Sequence, residues 1–174
     1  MSKTVNKTMR GLTIRPEPLT PEAFAPFGEV IEAGTGERLM INEGTTERFN
    51  DLAEIDVNAE GGQPIINIFR AQPRALPLPI LMVERHPLGS QTFVPLGPAP
   101  FLVLVAPPGD TVTASDLRAF KTAPGQGVNY RRGTWHHPLI ALDQVSEFLV
   151  IDRGGPGENC DELRFDGAEI FLDD

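Results

Sequence analysis

The apolar residues of this chain come in short runs, and glycine and proline, seventeen of each among 174 residues, fall between them. Short apolar segments closed by turn formers read as strands, so many strands joined by turns are expected rather than a few long helices. An apolar content of 40% with 22% charged residues is ordinary for a globular chain, and this length suffices for one domain with a sizeable core. The expected architecture is mainly β: an antiparallel barrel or double-sheet jelly roll with few short helices. Residues 1–11 form a polar leader without an apolar signal core, and residues 12–174 a single domain.

Strands are expected over 12–15, 29–32, 38–41, 46–50, 64–70, 101–105, 118–121, 144–151 and 168–172. The run 101–105 is apolar at every position, which fits a strand covered on both faces. Thr20 followed by Pro21 marks the start of a short helix, with Gly28 as its stop. Residues 110–117 are read as a turn and a short helix, and 152–155 as a turn after the strand that ends at Ile151.

Two stretches, 80–95 and 125–139, hold all three histidines. In an extended strand Ile80, Met82, Glu84 and His86 share a face, apolar at one end and ionisable at the other. The turn Pro87-Leu-Gly89 brings Gln91 back toward the same cavity. His136 and His137 point to opposite faces, so one of them enters, and residue parity leaves open which.

The formal charge of −9 argues against nucleic acid or an anionic membrane surface as partner. It also means that an anionic small molecule needs a local arginine. Arg48, Arg70, Arg85, Arg131, Arg132 and Arg153 are the candidates, with Arg70 and Arg131 foremost and Arg85 expected to point outward. Asn67 lies on the opposite face of its strand from Arg70, so at most one of them faces inward. A single cysteine, Cys160, fits a reducing, cytoplasmic setting, and no run is long enough to span a bilayer.

The stretches Glu84-x-His86-x4-Gln91 and Gly125-x5-Arg131-x-Gly133-x-x-His136 resemble the two motifs of the cupin superfamily. One histidine position holds Glu84 and the glutamate position holds Gln91. From Leu19 nearly to the C-terminus the chain is also similar to the ureidoglycolate lyase family. The likeness is carried by Phe27-Gly-Glu-Val-Ile31, Arg70-Ala-Gln-Pro73, Glu84-Arg-His-Pro-Leu-Gly89, Gly127-Val-Asn-Tyr130, Trp135-His-His-Pro-Leu139 and Ile151-Asp-Arg-Gly-Gly155. The resemblance implies a cupin-type barrel, a homodimer, that splits ureidoglycolate into glyoxylate and urea in allantoin (purine) degradation. The cupin alignment selects His136 as the inward histidine.

That cleavage removes a hydroxyl proton while the leaving nitrogen gains one, so general acid-base groups suffice and no redox cofactor is needed. His86 and His136 are the expected proton-handling pair, with Glu84 orienting them or sharing the proton. Arg70, Arg131, Gln91, Asn129 and Tyr130 are the expected substrate contacts. No metal is expected; were one bound, Glu84, His86, Gln91 and His136 would be its ligands. The alternatives are a metal-dependent cupin enzyme of other specificity and a non-enzymatic small-acid-binding domain.

Overall fold

A computed structural model describes residues 11–167 and 169–174. The chain opens with β1 (Leu12–Ile14) and β2 (Glu17–Pro18), then the one-turn α1 (Pro21–Phe24), whose first turn is capped where Thr20 Oγ1 accepts from the Ala23 N–H at 3.2 Å. Next come β3 (Gly28–Ile31), β4 (Glu37–Ile41), β5 (Thr46–Asn50), the long β6 (Gln63–Ala71) and β7 (Leu78–Pro79). The central part holds β8 (Met82–Arg85), β9 (Gln91–Pro95), β10 (Phe101–Ala106), β11 (Arg118–Lys121), β12 (Gly127–Tyr130), β13 (Trp135–His136) and β14 (Ile140–Ala141). The chain closes with β15 (Ser146–Gly154), β16 (Asp161–Arg164) and β17 (Ile170–Leu172).

Two larger sheets face each other. One is antiparallel throughout, in the order β3-β12-β9-β15-β6; the other runs β16-β8-β13-β10-β11-β2, with β14 also paired to β10. A small sheet, β1-β17-β7, covers the second sheet's far side, and β4-β5 is a separate hairpin. The architecture is therefore the mainly β, jelly-roll type sandwich with few short helices, but the sheets do not close into a barrel.

β10 explains the layering. Phe101, Val103 and Val105 enter one apolar cluster, with Phe93, Val128, Tyr130, Phe148 and Val150 of the facing sheet. Leu102, Leu104 and Ala106 enter another, with Ile14, Leu78, Ile170 and Leu172 of the small sheet. A strand in the middle layer is dry on both faces, which is why its sequence lacks polar alternation.

Three expectations change, and parts of two others are not described. The leader lies outside the described residues except for Gly11, as does Ala168 of the expected closing strand. Gly28 does not end the helix but starts β3, at φ +155°, where an added Cβ would sit 1.8 Å from the Asn129 carbonyl oxygen. Residues 152–154 are strand rather than turn, since β15 pairs with β6 through Gly154. The row that begins at Ile80 is broken, because Ile80 bonds to the Ile170 carbonyl and the chain bends at exposed Leu81 before β8 begins, so Ile80 and Val83 share one cluster.

Because β3 positions β12, and through it Tyr130, Gly28→Ala should destabilise the fold by on the order of 3 kcal/mol, read as a lowered thermal or urea midpoint.

Candidate active site

The first requirement for a site is that the two histidine stretches meet. They do so through backbone: the Gly133 N–H donates to the His86 carbonyl at 2.9 Å, and β13 pairs with β8 so that His136 stands opposite Glu84. Residues directly opposite on antiparallel strands share a face. Trp135 and Val83, on the other face, are buried in the cluster against the small sheet, so His136 and Glu84 must face the interior of the sandwich. His136 is the inward histidine. His137 is packed, with Nδ1 bonded to the Pro138 carbonyl at 2.7 Å, and burial pulls its pKa down.

Between the sheets lies a cavity of about 320 Å³. Glu84 and His136 line one wall; Gln91, Phe93, Phe69 and Ala71 line the other, and Arg70 stands at its edge. His86 is not part of that wall. Its ring lies against His136 with centroids 5.1 Å apart, and Glu84, His86 and His136 can each offer a ligating atom within 4.8 Å of the others. Tyr130 stacks on His136, with ring centroids 4.5 Å apart. Burial, reinforced by Glu84, pushes the Tyr130 phenol up, so it stays protonated at any physiological pH.

The imidazole tautomers follow from their partners. His86 Nδ1 lies 2.7 Å from the Asn159 carbonyl and His136 Nδ1 lies 3.0 Å from the Thr134 carbonyl. A carbonyl only accepts, so each Nδ1 carries a hydrogen; a neutral ring then keeps its lone pair on Nε2, and a protonated His136 turns an N–H toward Glu84. Both Nε2 atoms are buried without a hydrogen-bond partner among the described residues, as is Gln91 Oε1. Unsatisfied buried polar atoms are costly, and two of these belong to residues that line the cavity while the third lies on the ring packed against His136.

His136 Nε2 lies 3.5 Å from Glu84 Oε1, an ion-pair distance rather than a good hydrogen bond. The hydrogen bond and charge of a protonated His136, aided by His86 and His137, hold the Glu84 carboxyl below its ordinary value of 4.5 despite burial. Glu84 is therefore a carboxylate at neutral pH. Gln91 comes back to the cavity as expected, and its Nε2 donates to Asp152 Oδ1 at 2.8 Å. Asp152 also accepts from Asn67 Nδ2 at 3.1 Å.

The other sequence candidates sit elsewhere. Arg131 extends from the turn after β12 toward Glu29 and the Ala25 carbonyl, and borders other depressions. Asn129 alternates with Tyr130, so it faces away from the cavity and bonds Thr92, Glu29 and the Glu54 carbonyl. Arg70 pairs with Glu147 on the outward face of β6, where register places Phe148 and Phe69 inward; it reaches the cavity only at the rim. Arg85 points away as expected, over the Trp135 ring and against Asp161. Arg153 is buried and bonded to the Ala59 and Pro156 carbonyls, Arg132 lies near Asp56, and Arg48 is on the exposed hairpin.

Sequence reasoning missed Asp152 and Asn159. Alternation from buried Val150 would have indicated Asp152 once 152–154 were read as strand. Asn159 offered no signal, since it acts on His86 through its backbone.

The sequence is similar to known proteins along nearly its whole length. The family model described as Ureidoglycolate lyase matches residues 11–171. A protein named ureidoglycolate lyase from Burkholderia mallei (strain NCTC 10229) is 57% identical over 162 residues, covering 93% of this chain and 95% of that protein. One of the same name from Burkholderia cepacia is 53% identical over 155 residues, covering 89% and 88%. Another from Stutzerimonas stutzeri (strain A1501) is 52% identical over 166 residues, covering 95% and 96%.

A carboxyl whose folded pKa lies below its unfolded value stabilises the fold above the unfolded value, and that stabilisation is lost as pH falls through the folded value. Between about pH 6 and pH 3, the urea midpoint of the wild type should therefore fall more than that of Glu84→Gln. Parallel curves for the two proteins would contradict this reading of Glu84.

Proposed function

Since the chain belongs to the ureidoglycolate lyase family, we propose that it cleaves ureidoglycolate to glyoxylate and urea in the cavity between Glu84, His136 and Gln91. The observation that carries this reading is the set of two buried imidazole Nε2 atoms beside an ionised carboxylate. The substrate carbon bears a hydroxyl, a carboxylate and a ureido nitrogen. One imidazole removes the hydroxyl proton, the oxygen lone pair forms the aldehyde, and the carbon-nitrogen bond breaks. The leaving nitrogen takes a proton from the other ring, which enters the step as an imidazolium beside Glu84, so that the first ring ends protonated and the second neutral, and Glu84 supports the one positive charge throughout. No electron is transferred to or from the protein, so a redox cofactor has no part.

The same donors fit a divalent cation: Glu84, His86 and His136 would hold it, with Gln91 as a weaker fourth ligand. Such an ion would polarise the hydroxyl oxygen. The acid-base reading without a metal is preferred because the elimination needs only proton transfers that groups in this cavity can perform.

For the substrate carboxylate the proposed partner is Arg70, the arginine at the cavity edge. Tyr130 holds the His136 ring plane, and Gln91 faces the urea. Asn129 and Arg131 have no part in this version, given their positions.

The chain acts as a homodimer in this proposal. On the outward face of the five-stranded sheet, Ile66 and Ile68 are 71% and 56% exposed, and register sets Ile151 beside Ile66, and Leu149 and Val94 beside Ile68. An apolar sheet face of this kind is suited to packing against its own copy. None of the described helices is long and apolar enough to cross a membrane. With its one cysteine free and exposed, a reducing cytoplasmic setting is proposed. The place in metabolism is the ureidoglycolate step of allantoin degradation.

His86→Gln and His136→Gln should each lower kcat about 100-fold or more while leaving the unfolding midpoint close to wild type, measured by glyoxylate and urea formation. Turnover that survives exhaustive chelation supports the metal-free version, and loss restored by a divalent ion refutes it. Arg70→Ala should raise KM about tenfold or more with a smaller effect on kcat. Ile68→Asp should shift the protein toward monomer in sedimentation velocity; an unchanged profile would remove this face from the interface.

A further inference from the structure

Gln91 has an orientation that its neighbours do not let it change. Its Nε2 donates to Asp152 Oδ1 at 2.8 Å, and the other oxygen of Asp152 is occupied by Asn67 Nδ2 at 3.1 Å. Flipping the amide would place oxygen against oxygen, so the carboxylate fixes which end of the amide faces it. The other end, Oε1, is buried with no partner among the described residues, on a side chain that is 8% exposed and lines the cavity with Glu84 and His136.

A buried acceptor without a donor is destabilising, and a ligand that brings an N–H to it recovers that free energy. A ligand that brings a methyl group leaves the acceptor unpaired. We propose that Asp152 is a positioning residue that, through Gln91, makes this site selective for ligands whose carbonyl bears an NH2 group over those bearing a methyl in the same place. The inference rests on the lyase reading for its substrate class, a carbamoyl compound, but not for its test.

The test uses two unreactive acids of nearly equal shape, N-carbamoylglycine and N-acetylglycine, titrated calorimetrically into wild type, Gln91→Met and Asp152→Asn. Wild type should bind the carbamoyl compound about tenfold more tightly than the acetyl one. Gln91→Met removes the acceptor, and Asp152→Asn lets the amide turn; in both, the preference should fall to about threefold or less with N-acetylglycine affinity kept. A lost ratio at constant acetyl affinity is not what a merely structural role would give. No preference in wild type, a preference retained in either variant, or loss of both ligands in both variants would overturn the inference, as would wild type binding neither compound. Turnover of ureidoglycolate is followed on the same wild-type preparation. Its absence beside an intact preference sinks the lyase reading alone, and its presence beside no preference sinks this inference alone.

Discussion

The pairing of His136 with Glu84 across β13 and β8 is the constraint on which the site depends. A slip of one residue in either strand would turn His137 or Arg85 into the cavity instead. What prevents the slip is mostly hydrophobic: Trp135 and Val83 lie on the opposite face, buried against the small sheet, and that apolar burial would be lost if an imidazole or carboxylate took their place. The turn between β12 and β13 adds direction, with the Arg131 N–H and the Thr134 hydroxyl both donating to the Phe27 carbonyl and the Gly133 N–H to that of His86. The chemistry of one face is thus set by the packing of the other.

How much of this was legible from sequence depended on distance. Alternation along one strand is local, so the shared face of Glu84 and His86, the return of Gln91 and the two-sided burial of 101–105 could be read directly. The cap at Thr20 was legible for the same reason. Strands of two residues, such as β2, β7 and β14, leave no pattern to read, and β16 has polar residues at three of its four positions. The arginines were least legible of all. Whether Arg70 or Asn67 faces inward is decided by the register of β6 on β15, which sets Phe69 against Phe148 and Asn67 against Val150. Arg131 and Asn129 neighbour Tyr130 in sequence, yet one follows the turn and the other alternates away, so proximity in the chain misled.

The second hydrogen bonds of the site residues carry as much information as the residues themselves. His86 and His136 each give Nδ1–H to a backbone carbonyl, which leaves Nε2 as the unpartnered ring nitrogen in both. Gln91 gives its N–H to Asp152, which leaves Oε1. In all three cases a group that only accepts stands behind the side chain and decides which of its atoms is left over, and two of the three, His136 and Gln91, line the cavity. Glutamine at the position where the cupin motif has glutamate is then not a damaged ligand; it is an acceptor without a charge.

That distinction bears on how a ligand would lie. With Glu84 ionised and Asp152 close behind Gln91, the inner cavity is lined by acceptors of negative or neutral character, and Tyr130 contributes no charge. A carboxylate placed there would meet Glu84 and lie away from Arg70 at the rim, whereas hydroxyl and amide hydrogens would each find an acceptor. The arrangement of lowest electrostatic cost puts the carboxylate of a bound hydroxy acid outward, toward Arg70 at the rim, and its O–H and N–H groups inward, toward the imidazoles and Gln91. In a chain whose formal charge is −9, the role proposed for Arg70 is to orient an anion from the mouth, without placing a permanent cation inside the cavity.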